Sequence, residues 1–350
     1  MTMLLPTFEL HQPASLKEAI ALAAKLGDDF DYISGGTDLL PNYKCGLNSK
    51  SNIISLAKVA ELKTLSAREI GAGVTLVELE RNGEIPPALA EAAGRVASPL
   101  LRESATIGGN LMLDTRCHFF NQSFFWRSAL GYCLKADGDV CHVIPKITVD
   151  GKSVVNDKIC VATHSSDLAP MLIALGAEAT LVGPQGERTL KLHEFYRGDG
   201  IERFDLKPGE ILARVTLPEW AADARAGYMK LAPRRSIDFP VLGVAAALHL
   251  ADDGTLNALR IGLGACDTTP TLIDYTGLDK PVPPASYLNH DPAKDMPAVI
   301  GKPFNEEAIA AVAKHVQNVA QPKLNVPMEV GYRRKMAGVF TRRLLTQLAG

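Results

Sequence analysis

Apolar residues recur at helical spacing after Ser15. Ser15-Leu16-Lys17-Glu18 forms a capping box and Gly27 closes the segment, so the pattern predicts a helix from Ser15 to Gly27. A short strand at 31–34 runs directly into Gly35-Gly36-Thr37-Asp38, and Ile53 and Ile54, flanked by Asn52, Ser55 and Leu56, mark a second. Residues 86–97 read as a helix with Pro86 and Pro87 in its first turn. Asp167 stands where an N-cap belongs, ahead of a helix over 168–175 that Gly176 ends. Residues 180–192 read as a hairpin turning at Pro184-Gln185-Gly186. Beyond about residue 190 the strands lengthen: 241–250 and 256–264 flank the turn Asp252-Asp253-Gly254. Six prolines between 280 and 303 predict an irregular connector, and helices over 306–319 and 333–348 close the chain. The change of pattern places a boundary near 185–190, between a mixed α/β half and an α+β half.

Composition narrows the classes. The chain has 350 residues, 47% of them hydrophobic and 22% charged, which excludes collagen, coiled coil and wholesale disorder. With 37 basic against 39 acidic residues the net charge is −2, so nucleic acid is not expected as a main partner. The longest apolar run, 242–250, is strand-sized, and no membrane span is expected. Residues 1–10 carry no basic stretch ahead of an apolar one, so no secretory signal and a cytoplasmic location are expected. In that compartment thiols stay reduced, and a cysteine cluster reads as a metal or redox site before a disulfide framework.

Two segments share a design. Ile33-Ser34-Gly35-Gly36-Thr37-Asp38 and Ala105-Thr106-Ile107-Gly108-Gly109-Asn110 each set paired glycines after an apolar stretch, beside Thr and Asx side chains. Glycine pairs let backbone N–H groups converge on an anion with no Cβ in the way, and two such turns could clamp a pyrophosphate. Each alone also reads as a tight turn. Neither matches G-x-G-x-x-G or the Walker loop.

Taken with Ser166-Asp167-Leu168-Ala169-Pro170, Gly209-Glu210-Ile211-Leu212, Tyr228-Met229-Lys230, Arg234-Arg235 and 332–338, these turns resemble, in order and over nearly the whole chain, the flavin subunits of the xanthine oxidase family of molybdenum hydroxylases. The fold implied is α+β: a two-subdomain FAD-binding domain over 1–187, then a smaller α+β C-terminal domain over 188–350. The resemblance implies that Tyr32, Ile33, Ser34, Gly35, Gly36, Thr37, Asp38 and Leu39, with Thr106, Ile107, Gly108, Gly109 and Asn110, hold FAD, and that Val96, Asp167, Leu212 and Lys230 also touch it. Val96 and Leu212 read equally as core, Asp167 as a helix cap and Lys230 as a solvated strand residue.

Between Asn110 and Asp167 lie 56 residues, and four of the six cysteines, Cys117, Cys133, Cys141 and Cys160, fall there with gaps of 15, 7 and 18 residues. Four thiolates suit a tetrahedral metal or an iron–sulfur cluster, but the gaps match neither zinc ribbons nor ferredoxins, and buried free thiols remain the plain alternative. His118, His142 and His164 lie beside three of them and could stand in as ligands. The residues Asp114-Thr115-Arg116-Cys117, 131–135 and 138–142 resemble the insertion in flavin subunits of the 4-hydroxybenzoyl-CoA reductase type, which implies a [4Fe-4S] cluster on these four cysteines within 111–162. The stretch 145–158 is longer than that pattern, which leaves Cys160 the least secure ligand. Cys45 and Cys266 read as structural. Phe119, Phe120, Phe124, Phe125 and Trp126 read either as an apolar shell for the cluster or as the insertion's own small core. Because the glycine loops are separate from the insertion in sequence, FAD is expected to stay bound when the cysteines are changed.

The resemblance therefore implies an electron-transfer subunit with FAD and a [4Fe-4S] cluster and no catalytic residues of its own. Partners would be a large molybdopterin-binding subunit and a small [2Fe-2S] subunit in a heterohexamer, with ferredoxin as carrier and an aromatic acyl-CoA as substrate. Two alternatives stand beside it: the flavin subunit of an aldehyde- or heterocycle-oxidising molybdenum hydroxylase, and a zinc-stabilised nucleotide-binding module.

Overall fold

The computed structural model describes residues 4–149, 151–277, 279 and 291–350. Three sheets and their helices carry the site. The first is a small parallel sheet in the order Glu9–His11, Asn52–Ser55, Phe30–Ile33. The helix Leu16–Leu26 belongs to this unit; Ser15 Oγ accepts the Glu18 N–H and Gly27 takes φ 64°, as the capping pattern predicts. The glycine loop 34–38 leaves the carboxyl end of Phe30–Ile33, the end at which parallel sheets present their ligand sites.

The second sheet is antiparallel, Glu69–Gly71, Ile211–Thr216, Glu178–Gly183, Gly186–Lys191. The expected division at 187/188 falls inside the strand Gly186–Lys191, and the sheet does not close until Thr216. Sequence spacing alone could not reveal that a strand twenty residues further on returns between 69–71 and 178–183.

The third sheet runs Arg225–Leu231, Leu242–Leu250, Leu256–Gly264, Thr271–Asp274, all antiparallel. Leu242–Leu250 is almost continuously apolar because both of its faces are covered. Leu242, Val244, Ala246 and Leu248 share a core with Val312, Val316, Leu344 and Leu345 of the helices Glu306–Val319 and Val330–Ala349. Ala245 and Ala247 join a second core, built largely by the first part of the chain around helix Leu168–Ala174. The third sheet thus has one core on each face, and the first part of the chain packs on it through the second of these.

Several elements differ from their sequence reading. The helix expected over 86–97 spans Pro87–Gly94, and Ala97 turns away with φ 46°. The last helix begins at Val330, before the expected Arg333, because Glu329 caps it by accepting the N–H groups of Gly331 and Tyr332. Asp167 stands at a helix N-cap position but its side chain makes no capping bond; Ser166 Oγ accepts the Ala169 N–H instead. Part of the proline-rich connector, 280–290, lies outside the described residues.

Candidate functional site

The two glycine turns meet. Thr106 Oγ1 donates to Ser34 Oγ at 3.1 Å, and the same oxygen accepts the Gly109 N–H at 3.1 Å, capping the short helix Ile107–Leu111. A Cβ on Gly35 would lie 1.8 Å from Ser104 O, and one on Gly108 would lie 2.7 Å from Ala72 O, so only glycine lets the backbones close up here. Gly36 adds φ 71°, which turns successive amides toward one side. Among the described residues no acceptor takes the backbone N–H groups of Gly35, Gly36, Thr37 or Asp38. In the second turn the N–H groups of Ile107, Gly108, Gly109 and Asn110 all have acceptors within the chain. The anion-receptive character therefore belongs to the first loop.

Both turns line a cavity of about 920 Å³. Every residue from Tyr32 to Leu39 lines it, as do Val96, Thr106, Gly108, Gly109, Asn110, Asp167 and Leu212. Ile107 and Lys230 do not. Ile107 is fully buried in the apolar core, and Lys230 stands behind the wall, its Nζ bonded to Arg95 O, Asp167 Oδ2 and Asp238 O at 3.0, 3.0 and 2.9 Å. Asp167 also accepts from Tyr228 Oη at 2.9 Å. Burial pushes the Asp167 carboxyl up to about 6, against the pull of Lys230 and Tyr228. Its chemistry is that of a buried ion pair rather than a helix cap.

Sequence reasoning missed one whole side of this cavity. Asp114, Arg116 and Lys135, all from the cysteine-bearing segment, line it, and so do Arg203 and the loop residues Ile237, Asp238 and Phe239. Lys135 is enclosed, with Nζ 2.6 Å from Asp114 Oδ1 and 4.4 Å from the centre of the Phe120 ring. Burial pushes the Asp114 carboxyl up, but Lys135 and Arg203 outweigh it and hold it below the usual carboxylate range. Arg116 is paired with Asp38 and lies over the Phe239 ring, 4.1 Å from its centre.

The sequence profile described as "FAD binding domain in molybdopterin dehydrogenase" matches residues 6–220, more than half of the chain. The chain belongs to this family. It is 25% identical to the carbon monoxide dehydrogenase medium chain of Hydrogenophaga pseudoflava, over 98% of this chain and 97% of that one. It is 30% identical over 270 residues to the aldehyde oxidoreductase FAD-binding subunit PaoB of Escherichia coli, covering 73% of this chain and 80% of that subunit. The nicotinate dehydrogenase FAD-subunit of Eubacterium barkeri is 24% identical, with 98% of each chain covered. The fold agrees: the structure of carbon monoxide dehydrogenase from Hydrogenophaga pseudoflava superposes with a TM-score of 0.71 at 24% identity, covering 97% of this chain and 96% of that one. Quinoline 2-oxidoreductase from Pseudomonas putida gives 0.71 at 22% identity, covering 99% and 98%.

In this flavin-binding family member the long segment after Asn110 forms a compact unit against the cavity. Cys117, Cys133, Cys141 and Cys160 are all buried and free. Cys117, Cys133 and Cys160 share a small apolar core with Leu47, Phe120, Ala136 and Ala162. Burial pushes the Cys117 thiol up to about 11, with the Phe119 and Phe120 N–H groups opposing and Cys133 and Cys141 adding to the rise. Burial likewise pushes the Cys160 thiol up to about 12, with Lys135 opposing.

Cys45, read as structural, packs against this cysteine core. Of the five aromatic residues only Phe119 and Phe120 pack on the cysteines, while Phe124, Phe125 and Trp126 are exposed. His164, considered as a substitute ligand, bonds through Nε2 to Leu111 O at 3.1 Å, its Nδ1 is buried without a hydrogen-bond partner, and burial pushes its ring down to about 4. Among the described residues no three His, Cys, Asp or Glu side chains are arranged to hold a single metal ion. That argues against a zinc site, which draws its four donors tightly around one ion. No helix among the described residues is long and apolar enough to cross a membrane.

Proposed function

We propose that this chain is the flavin-carrying electron-transfer subunit of a molybdenum hydroxylase whose substrate, an aldehyde or a nitrogen heterocycle, is oxidised on a partner chain. The observation that carries the reading is the loop 35–38, whose four free N–H groups line a cavity of about 920 Å³ in a member of this family. Those amides suit the FAD pyrophosphate, and the residues that the resemblance assigns to FAD lie around the same cavity except Ile107 and Lys230. Bound FAD would supply the exchange between one-electron and two-electron carriers. This chain's own residues bind it, orient it and wall it from solvent. A large molybdopterin subunit and a small [2Fe-2S] subunit would complete the enzyme, in keeping with relatives named as a medium chain and as FAD-binding subunits.

Cys117, Cys133, Cys141 and Cys160 would hold a [4Fe-4S] cluster. Their shared burial, the absence of disulfides and the N–H groups of Phe119, Phe120 and Ala162 directed at Cys117 and Cys160 sulfurs support that assignment. This segment also favours a second reading, a 4-hydroxybenzoyl-CoA reductase in a heterohexamer fed by ferredoxin. The relatives named above, two dehydrogenases and an aldehyde oxidoreductase, support the oxidising reading instead. The test is to purify the complex and assay aldehydes and heterocycles with an artificial acceptor, and 4-hydroxybenzoyl-CoA with reduced ferredoxin. Turnover of the acyl-CoA alone would replace the first reading with the second. A purified chain without flavin absorption would defeat both.

A further inference from the structure

The amide loop 35–38 carries an acid at its end. An anionic Asp38 beside a pyrophosphate would repel it, the more strongly in a cavity poor in water. The structure places one cation on that carboxylate. Arg116 pairs with Asp38, and Asp38 Oδ2 also accepts the Asp114 N–H at 2.9 Å. Arg116 is itself held on two sides. Its backbone bonds to Thr163 in both directions, N–H to O at 2.7 Å and O from N–H at 2.8 Å, and its guanidinium lies over Phe239. Arg116 Nε is buried with no partner, so the side chain is not saturated by the protein.

We infer that Arg116 is a positioning residue: it neutralises Asp38 and so makes the loop 35–38 receptive to the pyrophosphate of FAD. The inference rests on the reading that FAD occupies this cavity. It gives the segment 111–162 a part in flavin binding, because Arg116 immediately precedes Cys117 and is fixed by a single antiparallel bridge to Thr163, three residues after Cys160. On this inference FAD binding depends on one side chain of the segment, Arg116, while the cysteines themselves stay outside the flavin site.

The test is titration of the full-length apoprotein with FAD, followed by quenching of flavin fluorescence. Arg116→Gln should raise the dissociation constant by about tenfold or more, the scale of one unscreened close charge. Arg116→Lys should restore binding to within about threefold, since the charge on Asp38 is again met. The double variant Asp38→Asn/Arg116→Gln should also recover, because there is no longer an acid to neutralise. A purely structural role for Arg116 would leave the double variant as weak as the single one, and that result overturns the proposal. So does wild-type affinity in Arg116→Gln. Should Arg116→Gln not fold, Asp38→Asn alone decides: it should bind FAD at least as tightly as the wild type, and weaker binding overturns the idea. A wild-type apoprotein that binds no FAD would overturn the functional reading itself, and the proposal with it.

Discussion

Lys230 Nζ lies 3.0 Å from Asp167 Oδ2, and this pair joins the third sheet to the start of helix Leu168–Ala174 directly behind the cavity wall. Both side chains are shielded from water, and Tyr228, two residues before Lys230 on the same strand, donates to the other carboxylate oxygen. An ion pair so placed is weak evidence for stability but strong evidence for a fixed arrangement, since removing one partner strands the other.

Its first consequence is a pH dependence. Asp167 is raised from 3.8 to about 6, so its contribution to stability is complete below 3.8 and is lost as pH rises through about 6. His164 is lowered from 6.5 to about 4, so its contribution is complete above 6.5 and is lost as pH falls through about 4. Between pH 4 and 6 the two oppose each other. Asp167→Asn removes the first alone, so the unfolding free energy should climb more steeply with pH from 4 to 6.5 than in the wild type. Urea unfolding at several pH values checks this; an unchanged slope would show that Asp167 titrates normally.

The glycines separate folding from binding. An alanine at Gly108 meets Ala72 Cβ and Ala72 O at 2.7 Å, and should lower stability by about 1–3 kcal/mol, the usual cost of overpacking. A Cβ at Gly109 would meet only Thr106 Oγ1, at 3.2 Å, and Gly109 lines the cavity, so Gly109→Val should melt close to the wild type as apoprotein yet bind little FAD. Thermal melts of both apoproteins, with flavin content after reconstitution, distinguish the two effects. Full flavin in Gly109→Val would remove the second turn from the site.

Arg127 is the hidden anchor of the cysteine-bearing segment. It is buried and donates to Gln122 O, Cys45 O and Gly46 O at 2.6, 3.1 and 3.0 Å. Arg127→Met should leave those three carbonyls unpaired and cost about 2–4 kcal/mol. Limited proteolysis should then cut first within 115–160, while the C-terminal helices stay intact. Wild-type resistance of that segment would mean the carbonyls find other donors.

The cysteines can be counted through iron. Purified without oxygen, the chain should carry about four iron atoms, and serine at Cys117, Cys133, Cys141 or Cys160 should lower that number. Cys266→Ser should not. Cys45→Ser is the sharper control, because Cys45 packs against the core without belonging to the proposed ligand set. Iron loss in that variant would make it a ligand.

The local elements were legible in the sequence because their causes are local. Ser15 and Gly27 bound the first helix, Asp252-Asp253-Gly254 turns the long hairpin, and the paired glycines mark close backbone approach whatever surrounds them. The family, too, could be read from short motifs in order. Tertiary structure alone decided three things. It made Asp167 the partner of Lys230 rather than a cap, because burial offered it a cation 63 positions away. It carried the second sheet past residue 187 to Thr216, because strand pairing is set by distant backbone and not by spacing. And it turned part of the segment 111–162 into a wall of the cavity that the two glycine turns line. There Arg116 meets Asp38 and Lys135 meets Asp114, because charges removed from water must find their opposites, wherever in the chain those lie.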